Sequence, residues 1–277
     1  MKIAARPAAV RQLCGLSGLL FIALAVGLLS PLCLAGQTVD EVIAKNIQAH
    51  GGMEKLNALH TLRISGKLNQ GSFQADFLQE NKRPGNVREE AIIQGLAQIQ
   101  AYDGKTGWQV SPFGGRKDPE LMSQDDVKSL EIDADIEGPL VDYKQKGHKA
   151  ELVGHDSVEG TDCLKVKLTL KNGDVRYYFL DADSFLEIKM ENQSTIRGAV
   201  VFTENYYGDY EQVSGLYFPF AFENGEKGNP VRTKYTVEKL EVNIPLDDAL
   251  FSMPVAKKAD AKPRAPEQKN QSKLAAK

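Results

Sequence analysis

Cysteine is scarce: the 277 residues contain three. Cys14 and Cys33 fall inside an apolar N-terminal segment, so the rest of the chain has Cys163 alone and no internal disulfide can form there. A disulfide-scaffold fold is excluded, and stability must come from a hydrophobic core, which a body of roughly 220 residues can supply. Cys163 stands beside an alternating run and reads as a small buried residue rather than a reactive thiol.

Catalytic and nucleotide-binding motifs are missing too. Gly104-Lys105-Thr106 ends like a phosphate-binding loop, but the glycine required five residues earlier is Ile99, and the segment that follows reads as a strand. No helix N-terminus then faces a phosphate. Asp181, Asp183 and Ser184 start like a calcium loop without its glycine at the sixth place or its glutamate at the twelfth, and read as a hairpin turn. The four histidines, His50, His60, His148 and His155, match no HExxH or close-spaced ligand pattern. His50 ends a helical pattern beside a Gly pair, where an imidazole can cap carbonyls or meet the helix C-terminus. There is no G-x-S-x-G elbow in the body. Acids are plentiful, which makes any one pair of them uninformative. The residues point to no catalytic site, no metal and no cofactor.

Positive charge is missing from the middle of the chain. The whole carries 34 Lys+Arg against 37 Asp+Glu, but residues 36 to 255 hold only 24 bases against 35 acids, about −11 in formal charge. A nucleic-acid partner is excluded, because phosphate contacts need clustered Lys and Arg. The bases sit at the ends. Lys2, Arg6 and Arg11 precede an apolar run from Leu16 to Leu34, a secretory signal pattern covering residues 1 to 35. Pro31 and the small Ala35-Gly36 pair favour cleavage after Ala35 over a retained anchor, and Pro31-Leu32 before Cys33 argues against lipidation. Residues 256 to 277 contain seven Lys/Arg, two acids and no aromatic residue, the composition of a disordered tail. Such a tail suits anionic lipid headgroups or an acidic partner, and equally a solvated role in solubility.

The body opens with a helix. Thr38 and Glu41 have capping-box spacing, Val39, Val42, Ile43 and Ile47 share a face, and Gly51-Gly52 supplies a stop. Met53, Leu56 and Leu59 mark a short second turn. From Thr61 the period becomes two: Leu62, Ile64 and Leu68, then Phe73, Ala75 and Phe77, alternate with polar residues as in half-buried antiparallel strands. Further strands fit Val87 to Gln94, Ala97 to Tyr102 and Gly107 to Val110, with a turn at Asp103-Gly104. A helix capped by Ser123, with Val127, Leu130 and Ala134 on one face, interrupts the strands and ends by Gly138-Pro139. Strands return at Leu164 to Leu170, Val175 to Leu180, Leu186 to Met190, Ala199 to Tyr207, Tyr217 to Glu223 and Thr233 to Ile244. A phase slip between Val237 and Leu240 predicts a bulge. Tyr206, Tyr207, Tyr210, Tyr217, Phe218, Phe220 and Phe222 form an aromatic group that suits a cavity border as well as a core.

A sheet of about ten strands must curl, split or close. The predicted class is mainly β (α+β), a curled antiparallel sheet forming an incomplete β-barrel with helices covering the open side. Candidate cavity-wall residues, chosen from apolar strand faces, are Leu62, Ile64, Phe73, Phe77, Trp108, Leu164, Val166, Phe179 and Ile188.

Several short segments, in this order, resemble a known family. They are Ile47-Gln48-Ala49-His50-Gly51-Gly52 with Met53-Glu54-Lys55-Leu56; Ser65-Gly66; Tyr102-Asp103-Gly104 with Gly107-Trp108; Gly138-Pro139-Leu140 with Lys146-Gly147; Glu151-Leu152-Val153-Gly154; Tyr178-Phe179-Leu180-Asp181; and Gly215-Leu216-Tyr217-Phe218-Pro219. Across residues 37 to 254 the chain is similar to the outer-membrane lipoprotein-sorting proteins of the LolA/LolB-like superfamily. The resemblance implies a periplasmic, non-enzymatic carrier that hides lipid or lipoprotein acyl chains in an apolar cavity. It also implies lipoprotein-trafficking partners at the inner or outer membrane and transient membrane contact. Exposed acyl chain costs about 0.8 kcal/mol per CH₂ in water, which is the physical reason for such a carrier. The chain departs from the best-known carriers in its greater length and basic tail, and their functional arginine aligns with no one residue here. A sensor or protein-interaction module on the same scaffold, and a hydrolase with a dispersed acid site, are the competing readings.

Overall fold

The computed structural model describes residues 36–114 and 118–254. The apolar leader and the basic tail expected from the sequence lie outside these described residues. Helix α1 (Val39–Ala49) starts at the expected capping box: the Glu41 N–H donates to Thr38 Oγ1 at 3.2 Å and the Thr38 N–H donates to the Glu41 carboxylate at 2.8 Å. Val42 and Ile43 point from α1 into the core, with Leu164, Val166, Leu168 and Leu180 beneath them. Helix α2 (Met53–Asn57) follows the Gly pair, and its Leu56 joins Leu59, Val141 and Leu216 in a second cluster.

The strands fall into two meanders. The first is β1 (Thr61–Gln70), β2 (Phe73–Lys82), β3 (Asn86–Ile93), β4 (Leu96–Tyr102), β5 (Gly107–Val110) and β6 (Glu120–Leu121). The second is β7 (Lys149–Val158), β8 (Thr161–Thr169), β9 (Val175–Asp181), β10 (Glu187–Ile196), β11 (Ala199–Val213), β12 (Leu216–Glu226) and β13 (Thr233–Val242). All thirteen form one antiparallel sheet in which β1 pairs with β13, so the order runs β6 to β1, then β13 back to β7. The outer strands β6 and β7 do not pair with each other, and the barrel is incomplete.

Helix α3 (Gln124–Asp133) and the segment that follows it join those two edges. The crossing runs over the concave side, where Ile132, Ile136 and Leu140 face the same space as Leu62, Gln79 and Met190 of the sheet. Ser123 caps α3 as expected, and Val127, Leu130 and Ala134 are its buried face, Leu130 and Ala134 packing on Val87. Gly107 makes room for the helix, since a Cβ there would lie 2.3 Å from Val127 Cγ2.

The predicted bulge is present: the β1–β13 register slips at Ser65/Gly66, leaving Glu238 unpaired between Val237 and Lys239. Gly66 faces it with no room for a side chain, as a Cβ would stand 2.0 Å from the Thr236 carbonyl oxygen. The turns at Asp103 and Asp181 also form, each aspartate accepting from the N–H groups two and three residues on. Two strands are not expected from the sequence. β6 has two residues, and β7 is an edge strand, mostly exposed, with a register shift between Leu152 and Gly154. Among the described residues the sheet therefore has thirteen strands where periodicity indicates about ten.

Candidate functional site

The site is built from the base of the sheet upward. His50 closes α1 and reaches across to the strands. Its Nε2 lies 2.6 Å from the Glu187 carboxylate and its Nδ1 3.0 Å from the Tyr217 carbonyl. Asn46 donates to the same carboxylate at 2.9 Å, and the Tyr210 hydroxyl donates to the Glu187 carbonyl at 3.0 Å. Burial alone would pull the His50 imidazole down, but the Glu187 charge and hydrogen bond outweigh it and hold it up at about 9. Burial likewise pushes Glu187 up, yet His50 and Asn46 bring it down to about 2. The base is an ion pair fastening α1 to β10.

The crossing segment is fastened as well. Asn81, itself buried, donates to the Asp133 carbonyl at 2.6 Å. Arg83 donates to the Leu59 and Leu56 carbonyls at 2.7 and 3.0 Å and pairs with Glu137. Lys146 pairs with Asp135 at 2.7 Å and donates to the Gly138 carbonyl. Between this roof and the inner face of the sheet lies a hollow of three adjoining chambers.

The basal chamber, about 320 Å³, is lined by Ile47, Leu62, Ile136, Leu140, Met190 and Phe218 among others. A wider chamber of about 620 Å³ opens above it, between Glu89, Gln98 and Gln100 on one side and Met190, Asn205 and Tyr207 on the other. Its apolar wall is aromatic: Phe222 stacks on Tyr235 with ring centres 4.4 Å apart, and Phe77 stands edge-on to both. The third, about 340 Å³, lies under α3. Arg176 borders all three.

Charged groups are thus placed on the inside. Asp133 has a well-exposed side chain, but the surface it exposes belongs to the hollow, which it lines beside Arg176. Burial raises its carboxyl, with Arg176 opposing the shift. Glu89, on the facing strand, is pushed up to about 8 by burial and then by the Asp133 charge. Tyr207 is raised by burial as well. Among the described residues no group of three or more His, Cys, Asp or Glu side chains is arranged to hold a metal ion.

No protein-family model matches the chain, and no curated protein matches it in sequence. Solved structures do match. A LolA superfamily protein from Nitrosomonas europaea superposes with a TM-score of 0.53 at 12% identity, covering 78% of this chain and 98% of the other. A DUF1329 family protein from Desulfovibrio piger gives 0.54 at 12%, with the same two coverages. A domain from Vibrio parahaemolyticus, described as an outer membrane lipoprotein-sorting protein, gives 0.51 at 12% over 76% of this chain and 94% of its own.

The fold is LolA-like.

Within this LolA-like frame the nine wall candidates divide by face. Leu62 and Phe77 line the hollow. Ile64 packs in the same inner cluster as both. Leu164 and Val166 are also on the inner face but lie in the filled cluster with α1. Phe73 shares the parity of Phe77 and sits at the β1–β2 hairpin end, 37% exposed. Trp108, Phe179 and Ile188 are on the outer face. Trp108 pairs with Ala101 and donates its indole N–H to the Phe251 carbonyl at 2.7 Å. Phe179 lies under the Lys165 ammonium, 4.7 Å from its ring centre, in an outer cluster with Ile188 and Cys163. Five of the seven clustered aromatics, Tyr207, Tyr210, Tyr217, Phe218 and Phe222, border the hollow through long adjacent strands. Sequence periodicity missed Glu89, Arg176, Tyr178 and Asn192, because polar residues on strands are assigned to solvent when only alternation is read, and it missed Asp133, because a polar residue at the end of a helix is assigned to solvent in the same way.

Proposed function

We propose that this protein is a periplasmic carrier that holds lipoprotein acyl chains or another lipid in the hollow of its incomplete barrel, for transfer toward the outer membrane. The observation that carries the reading is the hollow itself: a LolA-like sheet whose concave side is left open beneath its helices, with chambers in the size range that takes small apolar ligands. The lipoprotein-sorting description of the Vibrio protein supports acyl chains as the cargo class. The signal pattern of residues 1 to 35 supports export, and no helix among the described residues is long and apolar enough to cross a membrane. No step of covalent chemistry is assigned to it. In this reading the basic tail is a contact for anionic surfaces or for a trafficking partner at either membrane.

The test is direct. Purified protein should carry lipid detectable by native mass spectrometry, or bind a fluorescent fatty-acid probe that added lipid displaces. Ligand-free protein that ignores such probes, and that captures one stoichiometric protein partner instead, overturns the carrier in favour of an interaction module.

A further inference from the structure

Acyl chains do not account for the polar groups on the floor of the hollow. Arg176 Nε, the Tyr178 hydroxyl and Asn192 Oδ1 are each shielded from solvent without a hydrogen-bond partner. They stand together: Arg176 and Asn192 face one another across the β9–β10 pairing, and Tyr178 is the next inward residue along β9. The Tyr178 hydroxyl lies within hydrogen-bonding reach of the guanidinium, which favours the charged form of Arg176, although the contact falls short of a regular bond and leaves both groups room for another partner. Arg176 forms no ion pair among the described residues, although Asp133 shares its chambers. Orphaned buried polar atoms are rare in folded proteins, and three of them on adjacent inward positions call for an explanation.

We infer that this cluster is a head-group subsite, and that the ligand is an amphiphile with an anionic oxygen head, a carboxylate or a phosphate, held by Arg176 and Tyr178. A guanidinium presents planar donors matched to either oxyanion. The Tyr178 hydroxyl adds a donor, and the Asn192 amide offers its oxygen or, turned over, its NH₂. The tail continues past Met190 into the basal chamber, toward Ile136, Leu140 and Phe218. Burial pushes both neighbouring carboxyls, Glu89 and Asp133, toward their neutral forms, which leaves the guanidinium to dominate the field. The subsite rests on the carrier reading and adds to it a preference among lipids.

The full chain is titrated with hexadecanoate, hexadecyl phosphate and hexadecanol, which share a chain length and differ in the head. At least one anionic probe should bind about tenfold or more tightly than the alcohol, as one charge-assisted contact predicts. Whichever anion gains more identifies a carboxylate or a phosphate head. Arg176→Met should collapse the ratio of affinities to near one, and Tyr178→Phe should lower it by about threefold. Circular dichroism checks the folding of both, and if Arg176→Met does not fold, Tyr178→Phe decides. Equal affinity for alcohol and anions, or a ratio that survives the substitutions, overturns the subsite while the carrier stands. Failure of all three probes to bind overturns both.

Discussion

At the scale of single residues, His50 and Glu187 show how a contact between distant positions sets pH behaviour. The imidazole is held at about 9 when folded and returns to about 6.5 when unfolded, so its contribution is complete below 6.5 and is lost as pH rises through 9. The carboxyl is held at about 2 against about 4.5 unfolded, so its contribution is complete above 4.5 and is lost as pH falls through 2. Both shifts report one interaction, and the common plateau lies between about 4.5 and 6.5. Urea denaturation should show wild-type stability declining from pH 6.5 to 9.5 by about 1–3 kcal/mol more than that of Glu187→Gln. Parallel profiles for the two proteins would remove the ion pair from the account. The sequence marks His50 as the end of a helix, and the structure places it there. Its partners could not be read, because Glu187 and the Tyr217 carbonyl are brought to it by β10 and β12 rather than by the helix whose carbonyls it was expected to cap.

Among elements, α3 is the one whose seat is set by the smallest feature. Its cap and apolar face are legible in Ser123, Val127, Leu130 and Ala134, since capping and 3.6-residue spacing are local properties. Where it docks depends on Gly107, a strand residue with no reason of its own to be glycine until Val127 is seen against it. Gly107→Ala should destabilise the protein by about 1–3 kcal/mol, because a Val side chain cannot swing away as a long flexible one could. The same substitution should raise amide exchange across α3 more than across α1, which packs on the other meander. Unchanged stability and exchange would mean that the helix is held by Asn81 and the loop alone. By contrast β7 escapes notice. Its alternation is brief: only Ala150 and Leu152 are apolar positions packed inward before Gly154 breaks the register, and two such residues are too few to mark a strand.

For the whole molecule, strand order is the governing fact. The first and last strands pair at the centre of the sheet, and the two edges are joined only by the segment that roofs the hollow. Hydrogen exchange should be slowest in β1, β2 and β13 and fastest in β6, following the distance from that central seam. Protection that peaks in β7 or β8 would show that the second meander folds as a unit of its own. The sequence by itself determined most of the elements, all but β6 and β7: two-residue and 3.6-residue periods, capping residues, turn aspartates and the bulge are consequences of neighbours along the chain. It determined the antiparallel class too, since short turns leave no other pairing. Only the tertiary structure decided which apolar faces are filled and which enclose space. Leu164 and Leu62 have the same pattern in sequence, but α1 covers the first and a chamber opens on the second. It alone also turned Arg176 and Glu89 inward and set Asp133 of α3 beside them, because the side of a strand that meets solvent is fixed by how the sheet curls and what crosses it, and neither is written in the alternation.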